Sequence, residues 1–178
     1  MAELNQRIFD SSNGFWRIIM KRISKGSILE IHVHDEYYVY AQALQKDSIA
    51  YFDARYSLPV QNISNIDTSK VLFILGSSVN EAIRTERWRI VGKLPIKTEL
   101  QRLPLEFMQD AINPNIFSLF DCETGELTRT TREACEGLER CSIWYDNHIE
   151  DRIYAHYANT KCEWLISIDE WIKMNQKK

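Results

Sequence analysis

Histidine and cysteine are the side chains whose spacing could do chemistry near neutral pH, and this chain carries four of each. Glu30, His32 and His34 alternate with Leu29, Ile31 and Val33. On a strand that spacing sets two imidazoles and a carboxylate on one side, where they could hold a metal ion or simply face solvent. His148 and His156 fall in a later segment with helical spacing. There His156 neighbours the stripe Ile149, Ile153 and Tyr157, and it reads as packed or interfacial. Cys122, Cys135, Cys141 and Cys162 form no C-x-x-C motif and show no local signature of a thiol nucleophile. Reduced, mostly buried thiols are expected. Gly14, Gly26, Gly76, Gly92, Gly125 and Gly137 are scattered, so neither a phosphate loop nor a dinucleotide fingerprint is present. The reading is of a chain without catalytic residues, metal or cofactor, and not an enzyme.

Binding chemistry offers two further patterns. Tyr38 and Tyr40, with Phe52 on the next strand, could form a stacking platform for single-stranded nucleic acid. Such a platform needs a basic groove, and Lys46 and Arg55 are the cations close by, so core packing or a protein interface is preferred. The formal net charge of -3 also argues against a partner held by its phosphates. That charge is unevenly spread. Nine acidic residues (Asp121, Glu123, Glu126, Glu133, Glu136, Glu139, Asp146, Glu150 and Asp151) stand against Arg129, Arg132 and Arg140, a local charge of -6 that leaves the remainder near +3. A solvated helical face and a surface matched to a basic partner both fit this segment.

The elements that must position these residues follow from periodicity. The run from Gly26 to His34 alternates as a half-buried strand, Asp35-Glu36 turn the chain, and Tyr37 to Leu44 alternate again. Lys46-Asp47 and then Ser48 to Asp53 complete an antiparallel meander that curls towards a small barrel. Val71 to Leu75 reads as a strand covered on both faces, Ser78 to Arg84 as a short helix capped by Ser78, and Trp88 to Val91 as a further strand. Pro95, Pro104 and Pro114 make Lys93 to Asn115 an extended arm leading to a strand at Ile116 to Asp121. Three helices are expected beyond it. One is capped by Thr130 with Glu133 and striped by Ala134, Cys135, Leu138 and Cys141; one is capped by Asp146; a last one is opened by a Ser167–Glu170 capping box. The expected architecture is α+β, with an antiparallel, partly barrel-like (SH3-like) sheet from the N-terminal two-thirds and C-terminal helices packed on it. Residues 1–178 read as one domain with a short extension over about 1–24. The longest apolar run, Val71 to Leu75, is too short to cross a bilayer, and polar Met1 to Phe9 is no signal segment. No membrane association and residence in the cytoplasm are expected.

Three stretches carry a family resemblance. The first is Lys25-Gly26-Ser27-Ile28-Leu29-Glu30-Ile31 with Tyr38-Val39-Tyr40-Ala41-Gln42-Ala43-Leu44. Next comes Arg87-Trp88-Arg89-Ile90-Val91-Gly92-Lys93-Leu94-Pro95, with Leu103-Pro104 and Phe107-Met108-Gln109-Asp110 downstream. Last is Thr131-Arg132-Glu133-Ala134-Cys135-Glu136-Gly137-Leu138-Glu139-Arg140, continuing through Ile143-Trp144 to His148-Ile149-Glu150-Asp151-Arg152. In these the chain resembles the immunity protein 26 family of bacterial polymorphic toxin systems. It departs from the family's habit at Ser27, usually acidic there, and at Ala41, often glycine. The resemblance implies a protein that neutralises a cognate toxin domain in contact-dependent competition, and it transfers no catalytic residue. If the toxin is a nuclease with a basic cleft, the acidic segment is the expected docking surface. Glu133, Glu136 and Glu139 would lead, Asp146, Glu150 and Asp151 would support them, and Trp144 and Tyr145 would supply an aromatic anchor. The competing expectations are a nucleic-acid or small-ligand-binding β-barrel module, and a small hydrolase built around His32, His34 or His148.

Overall fold

β-Branched and aromatic residues at alternate positions, interrupted by two-residue turns, fold into a tightly wound meander. In the computed structural model, β3 (Ser27–Val33), β4 (Tyr37–Ala43) and β5 (Ser48–Tyr56) pair antiparallel, with Ile31 opposite Val39 and Ala41 opposite Tyr51. The structure describes residues 22–175 and, as backbone alone, β1 (Arg7–Asp10) and β2 (Phe15–Ile18), which pair antiparallel with Phe9 opposite Trp16. The rest of the expected extension over 1–24, apart from residues 22–24, and of the segment Met1 to Phe9 lies outside the described residues. Both meander turns have two consecutive residues in the left-handed region: His34 (φ 47) with Asp35 (φ 59), and Lys46 (φ 50) with Asp47 (φ 62). Two such residues match the right-handed twist of the flanking strands. The first turn therefore starts one residue earlier than expected, and His34 belongs to it and not to the outward side of β3.

β6 (Val71–Ser78) joins β5, β7 (Trp88–Lys93) joins β3, and the short β12 (Ile143–Tyr145) runs parallel to β6. The six-stranded sheet has the order β12-β6-β5-β4-β3-β7 and curls into a half-barrel. Register shifts between Ile28 and Leu29 of β3 and between Val39 and Ala41 of β4 supply local bends. Both faces are covered. Leu29, Ile31, Val33, Tyr51 and Trp88 face one core with Ile149 and Ile153, while Ile28, Tyr40, Ala50 and Phe52 face another closed by Ile66, Leu100 and Leu103. Glu30, at 4% exposure, is accordingly buried, where a half-buried strand would have left it in solvent.

The proline-bearing arm holds a strand that the sequence reading left out. β8 (Leu105–Gln109) pairs with β9 (Phe117–Asp121), β10 (Leu127–Thr130) adds to β9, and β11 (Glu139–Arg140) runs parallel to β8, making a second sheet of four strands. The helix expected over Thr130 to Cys141 is absent. A single 3₁₀ turn at Glu133–Cys135 gives way to Gly137 at φ 80, and the chain leaves as β11. A left-handed residue at that point ends helical geometry, and pairing with β8 then claims the backbone groups. The weak capping contact there runs from the Ala134 amide to the hydroxyl of Thr131, not Thr130.

α1 (Asn80–Arg84) forms where expected, although Val79 precedes it and no side chain caps it. α2 (Asp146–Ala158) begins at Asp146 itself, whose carboxylate takes the Asn147 amide at 3.0 Å, and ends at left-handed Asn159. α3 (Ile168–Asn175) opens with the expected reciprocal cap: the Ser167 amide reaches Glu170 Oε2 at 2.8 Å and the Glu170 amide reaches Ser167 Oγ at 3.2 Å.

Gly26 ties the sheet to the arm, its amide donating to Ala43 O at 2.8 Å and its carbonyl accepting from the Leu94 amide at 3.0 Å. At φ +85 a Cβ there would stand 2.9 Å from the Leu94 carbonyl. Gly26→Ala is expected to lower unfolding free energy by about 1–3 kcal/mol, read from urea denaturation; an unchanged midpoint would show that this junction yields easily.

Candidate functional site

Three of the side chains singled out for chemistry begin on one strand and end in different places. Glu30 accepts the Tyr40 hydroxyl at 2.8 Å and Arg89 Nε at 3.0 Å. Tyr40 in turn takes the Val60 amide at 2.7 Å, and burial pushes its phenol upward, so it remains a donor. His32 stacks on Tyr38, 4.2 Å between ring centres and 3° from parallel, with Nδ1 3.4 Å from Asp35. His34, carried by the turn, points its Nε2 at Asp151 of α2, 3.1 Å away. Glu30, His32, His34, Asp35 and Tyr38 line a polar cleft of about 690 Å³ with Glu86, Arg87, Arg89 and Glu150. Arg87 is paired with Asp146 and Glu150, and Glu30 is engaged by Arg89 and Tyr40. Among the described residues no group of three or more His, Cys, Asp and Glu is arranged to hold a metal ion. The stacking platform does not form either, because Tyr40 and Phe52 are core residues and only Tyr38 reaches the surface.

The thiols are free, with Cys135 and Cys162 buried. Cys122 and Cys141 donate to the carboxylate of Glu106, a buried residue of β8. Burial first, and then the carboxylate, push Cys122 up to about 11 and Cys141 up to about 12. Both are protonated at neutral pH, the opposite of an activated nucleophile. His156 lies 3.5 Å from Asp53, which also accepts the Tyr157 hydroxyl at 3.2 Å.

The acidic segment is less open than its composition suggests. Glu133 and Glu136 face solvent around the 3₁₀ turn. Glu139 is engaged by Arg152, Nη1 to Oε2 at 3.0 Å, and Asp146 pairs with Arg87. Glu150 accepts Trp88 Nε1 at 2.8 Å and Arg87 at 3.3 Å. Asp151 meets His34 on one oxygen and Trp164 Nε1, at 2.8 Å, on the other. Trp144, 7% exposed, is a core side chain lying under the guanidinium of Arg152 at 4.9 Å. Its neighbour Tyr145, 54% exposed, is the accessible member of the pair. Segment Asp121 to Asp151 thus brings Asp146, Glu150 and Asp151 together along α2 and leaves Glu133 and Glu136 on a separate turn.

Around Asp151 and Tyr145 the structure gathers His34, His148, Tyr154 and Trp164, which the sequence does not group with them. Tyr145 packs edge-on to His148 at 5.8 Å, His148 stacks on Trp164 at 3.8 Å, and His34 packs against Tyr154 at 4.9 Å. The available signal is the spacing of Tyr145, His148, Asp151 and Tyr154, three apart from the helix entry onward. Trp164 returns from beyond the helix end, which no local pattern reveals.

Compared with known families, residues 24–118 match the family model described as immunity protein 26. That span runs from the approach to β3 into β9 and covers more than half the chain; the third resembling stretch, Thr131 to Arg152, lies beyond it. No curated protein and no solved structure matches the chain. Among the described residues no helix is long and apolar enough to cross a membrane.

Glu106 supplies a pH test of the thiol cluster. Burial raises its carboxyl above the ordinary carboxylate range, with the two thiols pulling the other way. The folded chain then holds this proton more tightly than the unfolded chain. Its stabilising contribution is complete below the unfolded carboxylate range and is lost as pH rises through the folded value. Glu106→Gln is expected to match the parent near pH ~4 and to become the more stable of the two at higher pH. Parallel stability profiles in urea across that range would contradict the assignment.

Proposed function

The chain belongs to the immunity protein 26 family, and from that membership we propose that it protects a bacterial host by binding a cognate toxin domain and covering its working surface. The match over residues 24–118 carries this reading. It is supported by the commitment of the reactive side chains to internal structure: Glu30 to Arg89 and Tyr40, His34 to Asp151, Cys122 and Cys141 to Glu106. Such groups stabilise a scaffold, and a protein that acts by occlusion needs a stable scaffold with a shaped surface.

The finer parts of the proposal concern the partner. The toxin is taken to be a nuclease, delivered by a polymorphic toxin system and met in the cytoplasm, and residues 1–178 act as one immunity unit. The excess of acid between Asp121 and Asp151 attracts a basic, phosphate-binding cleft over distance. Glu133 and Glu136, which face solvent, are assigned this steering role. Glu139, Asp146 and Glu150 already meet cations or donors of their own fold, so they add to the field more than to direct contact.

Co-expression is the first test: the chain should restore growth to cells producing the toxin domain encoded beside its gene, and the purified pair should form a complex. Failure of both would end the immunity reading. In stopped-flow binding, Glu133→Lys combined with Glu136→Lys is expected to slow association about tenfold with a much smaller change in dissociation. The difference should shrink as salt rises. An unchanged association rate would remove these two residues from the steering role.

A further inference from the structure

Tyr145, at the entry to α2, and His148, Asp151 and Tyr154 of the helix itself form a row of side chains three residues apart, and the chain folds Trp164 and His34 onto that row. Large aromatic groups here stay accessible: Tyr145 at 54%, Trp164 at 44% and Tyr154 at 38%. They are also held in place. Asn159 ends the helix in the left-handed region, buried Cys162 anchors the returning chain, and Trp164 is fixed by its stack on His148 and its hydrogen bond to Asp151. His34 is fixed likewise between Asp151 and Tyr154. An exposed aromatic array that is ordered before any partner arrives pays little conformational entropy on binding, and tyrosine and tryptophan are the side chains that most often dominate interface energies.

The charge around the array selects the partner. Asp151 lies at its centre with its side chain 42% exposed, exposed Asp35 and Glu36 follow His34, and exposed Glu163 precedes Trp164. The cations nearest in sequence, Arg152 and Lys161, are engaged by Glu139 and Glu170. Electron-rich ring faces beside carboxylates suit a guanidinium or ammonium group, through cation–π contact and a charge-assisted hydrogen bond together.

We propose that this aromatic and acidic face of α2 is the short-range docking surface of the chain, and that its occupant is an arginine- or lysine-bearing face of the toxin domain. The assignment rests on the immunity reading above and names the contact surface within it, separate from the steering residues Glu133 and Glu136.

The test uses the full chain and the purified toxin domain encoded beside its gene, with binding measured by calorimetry. Trp164→Ala and Tyr154→Ala are each expected to weaken binding about thirtyfold or more. Asp151→Asn is expected to weaken it by a factor that falls as salt rises. Ile112→Ala, at a 95% exposed residue outside α2, should change nothing. Hydrogen exchange on the unaltered complex gives a readout that does not depend on how a variant folds: new protection should centre on residues 145–165. Parent-like affinity of the Trp164 and Tyr154 variants, or protection confined elsewhere, would overturn the placement while leaving the immunity role standing. No binding by the parent chain would remove both.

Discussion

The docking of α2 onto the curled sheet is the contact on which the rest of the molecule depends. Ile149 and Ile153, both fully buried, enter the core shared with Leu29, Ile31, Tyr51 and Trp88. Each such side chain contributes about 1.5–3 kcal/mol through burial. A polar seam then fixes how the helix is rotated. Trp88 Nε1 donates to Glu150, and Arg87 reaches both Glu150 and Asp146. Burial raises the Glu150 carboxyl, while Trp88 and Arg87 draw it back towards the charged form. Apolar contact sets the depth of the helix and directional bonds set its angle, so the outward row from Tyr145 to Tyr154 is determined by what happens underneath it.

The same economy governs the charges. A segment with a local excess of carboxylates would repel itself if all of them faced one way. Here Glu139, Asp146, Glu150 and Asp151 are each met by a donor from another element or loop: Arg152, Arg87, Trp88 and Trp164. Neighbourhood in sequence therefore separates into two kinds of group in space. Some carboxylates organise the fold, and others, such as Glu133 and Glu136, face solvent.

How far the sequence could be read depended on whether a residue's neighbours were local. Alternation in Leu29, Ile31 and Val33, the reciprocal cap of Ser167 with Glu170, and the stripe of Ile149 and Ile153 are all visible within a few positions, and each takes its expected form. The segment from Thr131 to Cys141 has the composition of a helix and becomes a 3₁₀ turn and a strand, because Gly137 takes a left-handed conformation and β8 offers a pairing edge. Trp144 looked like a surface anchor beside Tyr145. Alternation on the short β12 turns it inward onto Arg152, whose guanidinium also lies over Phe73 at 4.2 Å. Glu30 is readable as outward-facing from alternation alone, and it is the hydroxyl of Tyr40 and the strand carrying Arg89 that close over it. The His34–Asp151–Trp164 contacts join the first meander turn, α2 and the loop that follows it, and nothing short of the fold could assemble them.

β11 and β12 are separated only by Cys141 and Ser142, yet one completes the four-stranded sheet and the other completes the six-stranded sheet. This short stretch works as a clasp, pairing with Glu106 and Phe107 of β8 through its first half and with Gly76, Ser77 and Ser78 of β6 through its second. A polypeptide ending at residue 118, where the family match stops, would lack the clasp and expose two unpaired rows of backbone donors and acceptors at once. Sheet margins of that kind recruit other strands, so the downstream third of the chain also guards the rest against self-association.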